Sequence, residues 1–120
     1  MRPTFHMVPA EVWDAADPAT PYEAASLASE GFTHCTDGEL ELLATANRHY
    51  SGDPHPFLAL TVDLDAAGSP WRIEDPAGVY PHVFGPIDRA AVLRVATLRR
   101  DASGRFTGLR PRDAGSPAED

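Results

Sequence analysis

The chain of 120 residues has no lysine, a single cysteine, and no apolar run approaching the roughly 20 residues that a membrane-spanning helix needs. One thiol cannot build an internal disulfide framework. Cys35 also follows His34 directly, so on a strand the two side chains point to opposite faces and make a poor nucleophilic pair. The sequence has no glycine-rich phosphate loop, no G-x-S-x-G elbow and no Rossmann fingerprint, which removes those enzyme classes. There is no Cys-x-x-Cys and no histidine pair at i, i+4, and His6, His34 and His82 lack close spacing, although His49 and His55 add two more nitrogens; no metal is expected. The start, Met1-Arg2-Pro3-Thr4-Phe5-His6, lacks the apolar core of a signal peptide, and a cytoplasmic location without membrane attachment is expected.

All ten basic residues are arginines, and they are scattered without a basic run through a chain of net charge -8. That balance argues against extended nucleic-acid binding. It still permits a small phosphate-bearing ligand held by a local arginine. Hydrophobic residues make up 42% of the chain, enough for one core in a domain of this length but not for a core plus a separate cofactor domain. A single domain over residues 1–109 is expected. The remainder, 110–120, lacks apolar anchors and reads as a disordered tail.

Local pattern gives an α+β chain with a small, mostly antiparallel β core and two or three short helices. Thr4 to Val8 alternates as a strand, and Pro9 then suits the first turn of a helix through Ala10 to Ala16. A helical turn is expected around Ala24 to Ala28, with a turn at Gly31 and a short strand over Phe32 to Cys35. Thr36-Asp37-Gly38-Glu39 has capping-box spacing before a helix from Asp37 to Tyr50, whose apolar side is read as Leu40, Leu43, Ala44, Ala46 and Tyr50. Phe57 to Leu64 is a mostly apolar run that predicts a central, buried strand. Shorter strands are expected over Trp71 to Glu74, Val79 to Phe84 and Val92 to Leu98, with an edge at Arg105 to Thr107.

The most distinctive stretch is Tyr80-Pro81-His82-Val83-Phe84-Gly85-Pro86, where proline and glycine restrain the backbone around an aromatic-flanked histidine. With His6 and His34 it gives three imidazoles on or near strand ends. Each can donate and accept one hydrogen bond, and so could serve ribose hydroxyls or a proton in transfer. An imidazole that does chemistry needs an orienting group, and Glu74 is the carboxylate nearest in pattern. The competing reading is structural: histidines among apolar neighbours that complete buried hydrogen bonds.

Phe5-His6-Met7-Val8, Trp13, Ser26-Leu27, Gly31-Phe32-Thr33-His34-Cys35-Thr36, Ala46-Asn47-Arg48-His49-Tyr50, Glu74 and Tyr80 to Pro86, taken together, resemble the bacterial DUF952 family over roughly residues 4 to 109. That family is thought to be similar in fold to ADP-ribosyltransferases, whose split β core holds NAD between two small sheets. The strand histidine, tryptophan and Gly-x-x-His-x-Thr pattern also resembles the NAD-binding lobe of RNA 2'-phosphotransferases. The resemblance implies NAD as the small-molecule ligand, with His6, Ser26, Thr36 and Tyr80 binding it and His34, Glu74 and His82 near the bond that breaks. Three readings stand side by side. They are an NAD-dependent ADP-ribosyl transfer or NAD-cleaving enzyme, an enzyme on another small metabolite with His34 and His82 as acid and base, and a non-catalytic binding or structural module.

Overall fold

The structure, a computed structural model, describes residues 1–112. In chain order it contains β1 (Pro3–Pro9), α1 (Ala10–Ala15), α2 (Ala25–Glu30), β2 (Thr33–His34), α3 (Glu39–Tyr50), β3 (Phe57–Asp63), β4 (Trp71–Ile73), β5 (Pro81–Val83), β6 (Val92–Arg100) and β7 (Phe106–Pro111). The strands form a four-stranded sheet, β1-β3-β6-β7, and a three-stranded sheet, β2-β5-β4. Every pairing among the described residues is antiparallel, which is the expected α+β class. The sheets touch where Phe5 of β1 exchanges main-chain hydrogen bonds with Thr36, just past β2.

β3 is buried along nearly its whole length because it faces two cores. Leu58, Leu60 and Val62 point into a cluster with Val8, Tyr22, Cys35, Val83 and Ile87, on the side of the small sheet. Phe57 and Ala59, of opposite parity, pack against Leu42, Ala46, Leu98 and Phe106 under α3. At roughly 1.5–3 kcal/mol for each large apolar side chain buried, these two clusters are the main stabilising contribution.

The capping box expected at Thr36 and Glu39 does not form. α3 starts at Glu39 rather than Asp37, behind Gly38 at φ 87°, and no side chain caps it. Both polar residues have other partners: the Thr36 main chain pairs with Phe5, and the Asp37 carboxylate takes two hydrogen bonds from the Arg2 guanidinium (3.1 and 2.6 Å) and one from Thr4 Oγ1 (2.7 Å). The buried face of α3 is also displaced from the expected one. Leu42 and Ala46 are buried whereas Leu40 is 84% exposed, because the helix presents the 42/46 line to β3 and β7.

Asn47, beside the buried Ala46, fastens α3 to β7. Its side chain donates to the Phe106 carbonyl (3.0 Å) and accepts from the Phe106 N–H (2.7 Å). β7 runs on to Pro111, and Arg112 forms a two-pronged pair with Asp14 at 2.9 Å, so ordered chain continues past the expected end at 109. The rest of the expected tail, from 113, lies outside the described residues. Among the described residues, no helix is long and apolar enough to cross a membrane.

Candidate functional site

α2 ends in a left-handed turn at Gly31, φ 89°, where a side chain would be strained and where the Gly31 N–H closes on the Leu27 carbonyl. The reversal brings β2 back alongside the helix it has just left. Glu30 thereby meets His34, whose Nε2 stands 3.1 and 3.2 Å from the two carboxylate oxygens. With Nε2–H donating to Glu30, Nδ1 of the neutral ring keeps its lone pair.

His34 lies directly opposite His82 in the β2–β5 register, and the two rings are 5.4 Å apart, edge to face. His82 is in turn opposite Arg72 of β4. Phe32 stacks flat on the His82 ring at 4.1 Å, which fixes its plane. His82 Nδ1 is buried without a hydrogen-bond partner, and Glu74 Oε1 is 3.6 Å away, beyond hydrogen-bond length. Glu74 thus neighbours one histidine, as the sequence suggested, while the carboxylate in firm contact with the other is Glu30.

His6 occupies the floor. It is buried, its Nδ1 lies 2.7 Å from the His34 main-chain carbonyl, and its Nε2 lies 2.8 Å from the Tyr22 hydroxyl. A carbonyl only accepts, so Nδ1 carries the proton and the Tyr22 O–H donates to Nε2. Burial drives the His6 pKa down to about 4, the neutral form this network requires. Tyr22 is held in place by paired main-chain hydrogen bonds with Ile87 and is pushed above the usual tyrosine range by the same burial. Cys35 is buried in the first core, with its thiol raised to about 12 by desolvation, so it is a packing residue rather than a nucleophile.

These groups border a cleft of about 920 Å³ lined by α2, α3, β1, β2 and β5. It brings together His6, Ser26, His34, Thr36, Tyr80 and His82, but not Glu74. Its lining mixes apolar residues, among them Met7, Val8, Pro9, Val12 and Ala24, with polar ones, among them Thr45, Arg48, Tyr80 and Asp75. Tyr80 Oη sits 3.3 Å from Thr45 Oγ1, and the Tyr80 N–H donates to Asp75. Desolvation alone would raise the Asp75 carboxyl, yet the N–H groups of Val79 and Tyr80 outweigh it and leave the pKa below its ordinary value. Among the described residues, no three or more His, Cys, Asp or Glu side chains are arranged to hold a metal ion.

Pattern reading missed Glu30, Tyr22 and Arg48 as parts of this site. The Glu30-x-x-x-His34 spacing was visible, but it spans a helix end, a glycine turn and a strand, where i, i+4 spacing has no fixed geometric meaning. Tyr22 is 16 residues from His6, and only tertiary packing joins them.

The model of DUF952, described as a protein of unknown function, matches residues 7–95. That span takes in Glu30, His34, Arg48, Tyr80 and His82 and begins one residue after His6. No curated protein matches the sequence. Among solved structures, the crystal structure of CC0527 from Caulobacter crescentus is similar, at 25% identity and a TM-score of 0.71, covering 88% of this chain and 93% of that one. The solution NMR structure of the same protein gives 26% identity and a TM-score of 0.67, covering 87% and 90%.

Proposed function

The chain belongs to the DUF952 family, a family of unknown function, and from that premise we propose that its histidine-lined cleft binds a dinucleotide of the NAD type and promotes cleavage or transfer at the ribosyl bond. The observation that carries this reading is the convergence of His6, Ser26, His34, Thr36, Tyr80 and His82, six residues from four segments of the chain, on one cleft. Its volume of about 920 Å³ lies near the upper end of the ~300–1,000 Å³ usual for small-molecule sites. A lining that mixes apolar and polar side chains suits a ligand with flat rings and hydroxyls. The unsatisfied His82 Nδ1 is a buried polar atom that a small movement of Glu74 would complete. The likeness to ADP-ribosyltransferases rests on sequence motifs and supplies the choice of ligand.

Bound NAD would supply an activated ribosyl group on a leaving nicotinamide. The protein's share is pose and charge. His34, oriented by Glu30 through Nε2, offers Nδ1 as a proton acceptor. His82, held flat by Phe32, stands across from it as a second polar group. His6 has both nitrogens committed to the protein, so its part is to hold the His34 carbonyl and Tyr22 in place. The His34–Glu30 contact equally favours acid–base work on another small metabolite. Titration of NAD and ADP-ribose against other nucleotides and sugar phosphates separates the two: saturable binding of the former pair supports the proposal, and binding of the others alone transfers the cleft to the second reading.

A further inference from the structure

The two ends of the cleft differ in charge. At one end stand His34, His82 and the floor residue His6. The other is formed by the last turn of α3, from which Arg48, His49 and Tyr50 line the cleft, and by Pro9 at the far end of β1. Pro9 lies opposite Phe57, whose ring meets that of Tyr50 at 5.1 Å, and this fixes the helix end against that end of the strand. His6 and Pro9 are three residue steps apart on β1, roughly 10 Å at about 3.3 Å per residue. Along the facing helix, Leu42, Thr45, Arg48 and His49 line the same cleft at three-to-four spacing, a continuous stripe on one side of α3.

Among the residues that line the cleft, Arg48 is the one arginine. Three arginines elsewhere are set against carboxylates, Arg2 on Asp37, Arg72 near Glu74 and Arg112 on Asp14. The two carboxylates that line the cleft are engaged as well, Glu30 by His34 and Asp75 by the N–H groups of Val79 and Tyr80. Arg48 has no ion pair or hydrogen bond from its side chain among the described residues. In a chain of net charge -8 carboxylates are plentiful, yet none is placed against this cation at the mouth of a large cleft.

We propose that Arg48 anchors a phosphate group of the ligand, so that the cleft selects an elongated, phosphate-bearing molecule whose other end lies at His34 and His82. This deepens, and rests on, the reading of the cleft as a dinucleotide site. A guanidinium fork matches two phosphate oxygens at once. The negative end of the α3 dipole disfavours an anion at this spot. Anion binding should therefore depend steeply on Arg48. Offsetting the helix dipole is the ligand-independent use of the same side chain, and it predicts a loss of stability rather than of binding.

The test uses the whole protein, wild type and Arg48→Ala, each checked by thermal melting, with three probes: NAD, nicotinamide riboside, which lacks the phosphates, and inorganic pyrophosphate. The expected result is that Arg48→Ala weakens NAD and pyrophosphate by about tenfold or more, a loss of roughly 1.4 kcal/mol, while riboside binding and melting temperature stay near wild type. Arg48→Lys should recover part of the loss. NAD bound equally well by both proteins overturns the anchor and leaves the dinucleotide reading standing. Pyrophosphate bound through Arg48 without NAD affinity overturns the dinucleotide reading and keeps the anchor. A lowered melting temperature with unchanged pyrophosphate binding assigns Arg48 to the helix dipole and overturns the proposal, as does binding of none of the three probes.

Discussion

Glu30 and His34 meet because Gly31 folds the chain back on itself: the carboxylate ends α2, the imidazole ends β2, and 3.1 Å separates Oε1 from Nε2. Both side chains are about half exposed, 50% and 52%, so their pairing contributes little to stability, on the order of 0–1 kcal/mol as for other exposed pairs. Its consequence is orientation. Glu30→Gln is expected to lower the melting temperature by no more than about 4–8 °C, the equivalent of 1 kcal/mol in a domain near this size, while impairing ligand turnover or binding in the cleft. A variant that melts much earlier would make the pair structural.

Gly31 itself has open space around a notional Cβ, so Gly31→Ala meets no neighbour and its cost is that of the left-handed backbone alone, about 1–2 kcal/mol. Chemical denaturation should report that loss. A neutral outcome would mean that the turn relaxes, and the Glu30–His34 contact should then be lost as well.

His6 and Tyr22 behave oppositely to Glu30 and His34, because they are buried. The folded His6 has its pKa depressed to about 4 against about 6.5 unfolded. Between those values the unfolded chain binds a proton that the folded chain refuses. The stabilisation is therefore complete above about pH 6.5 and is lost progressively as pH falls toward 4, a contribution of the order of 3 kcal/mol. Urea unfolding at pH 7 and pH 4.5 should show this drop in the wild type and a flatter response in His6→Gln. Equal slopes would contradict the buried neutral network.

Asn47 gives a test confined to the fold. Asn47→Ala removes both hydrogen bonds to the Phe106 main chain and leaves a partly buried N–H and C=O unpaired, so a loss of about 2–3 kcal/mol is expected in equilibrium unfolding. Stability unchanged from wild type would mean that water or a shift of β7 restores those bonds.

Much of the fold was legible because its signals are local. The alternation of Thr4 to Val8 and the apolar run at Phe57 to Leu64 announce strands on their own, and both appear with ends displaced by a residue or two. What failed was settled by partners distant in sequence. Asp37 could not be known to serve Arg2, nor Thr36 to pair with Phe5, so the capping box looked sound. Leu40 fitted an amphipathic helix equally well from sequence, and the choice of the 42/46 line was made by Phe57 and Phe106, far along the chain. The site followed the same rule. Histidines on strands could be named because their residue type stands out, and His34 and His82 prove to be direct cross-strand partners. Glu30, Tyr22 and Arg48 are ordinary residues that only the folded arrangement singles out.

The central claim is that this cleft is a ligand site built around His34, and calorimetric titration of NAD and ADP-ribose into the wild type and into His34→Ala tests it most directly. His34 is half exposed, so its removal should cost within about 0.5 kcal/mol of stability and leave a folded control. Saturable binding to the wild type, lost or strongly weakened in the folded variant, is the result predicted here. An absence of heat with wild type at roughly millimolar NAD, a concentration that would reveal any dissociation constant tighter than that, would contradict the dinucleotide reading.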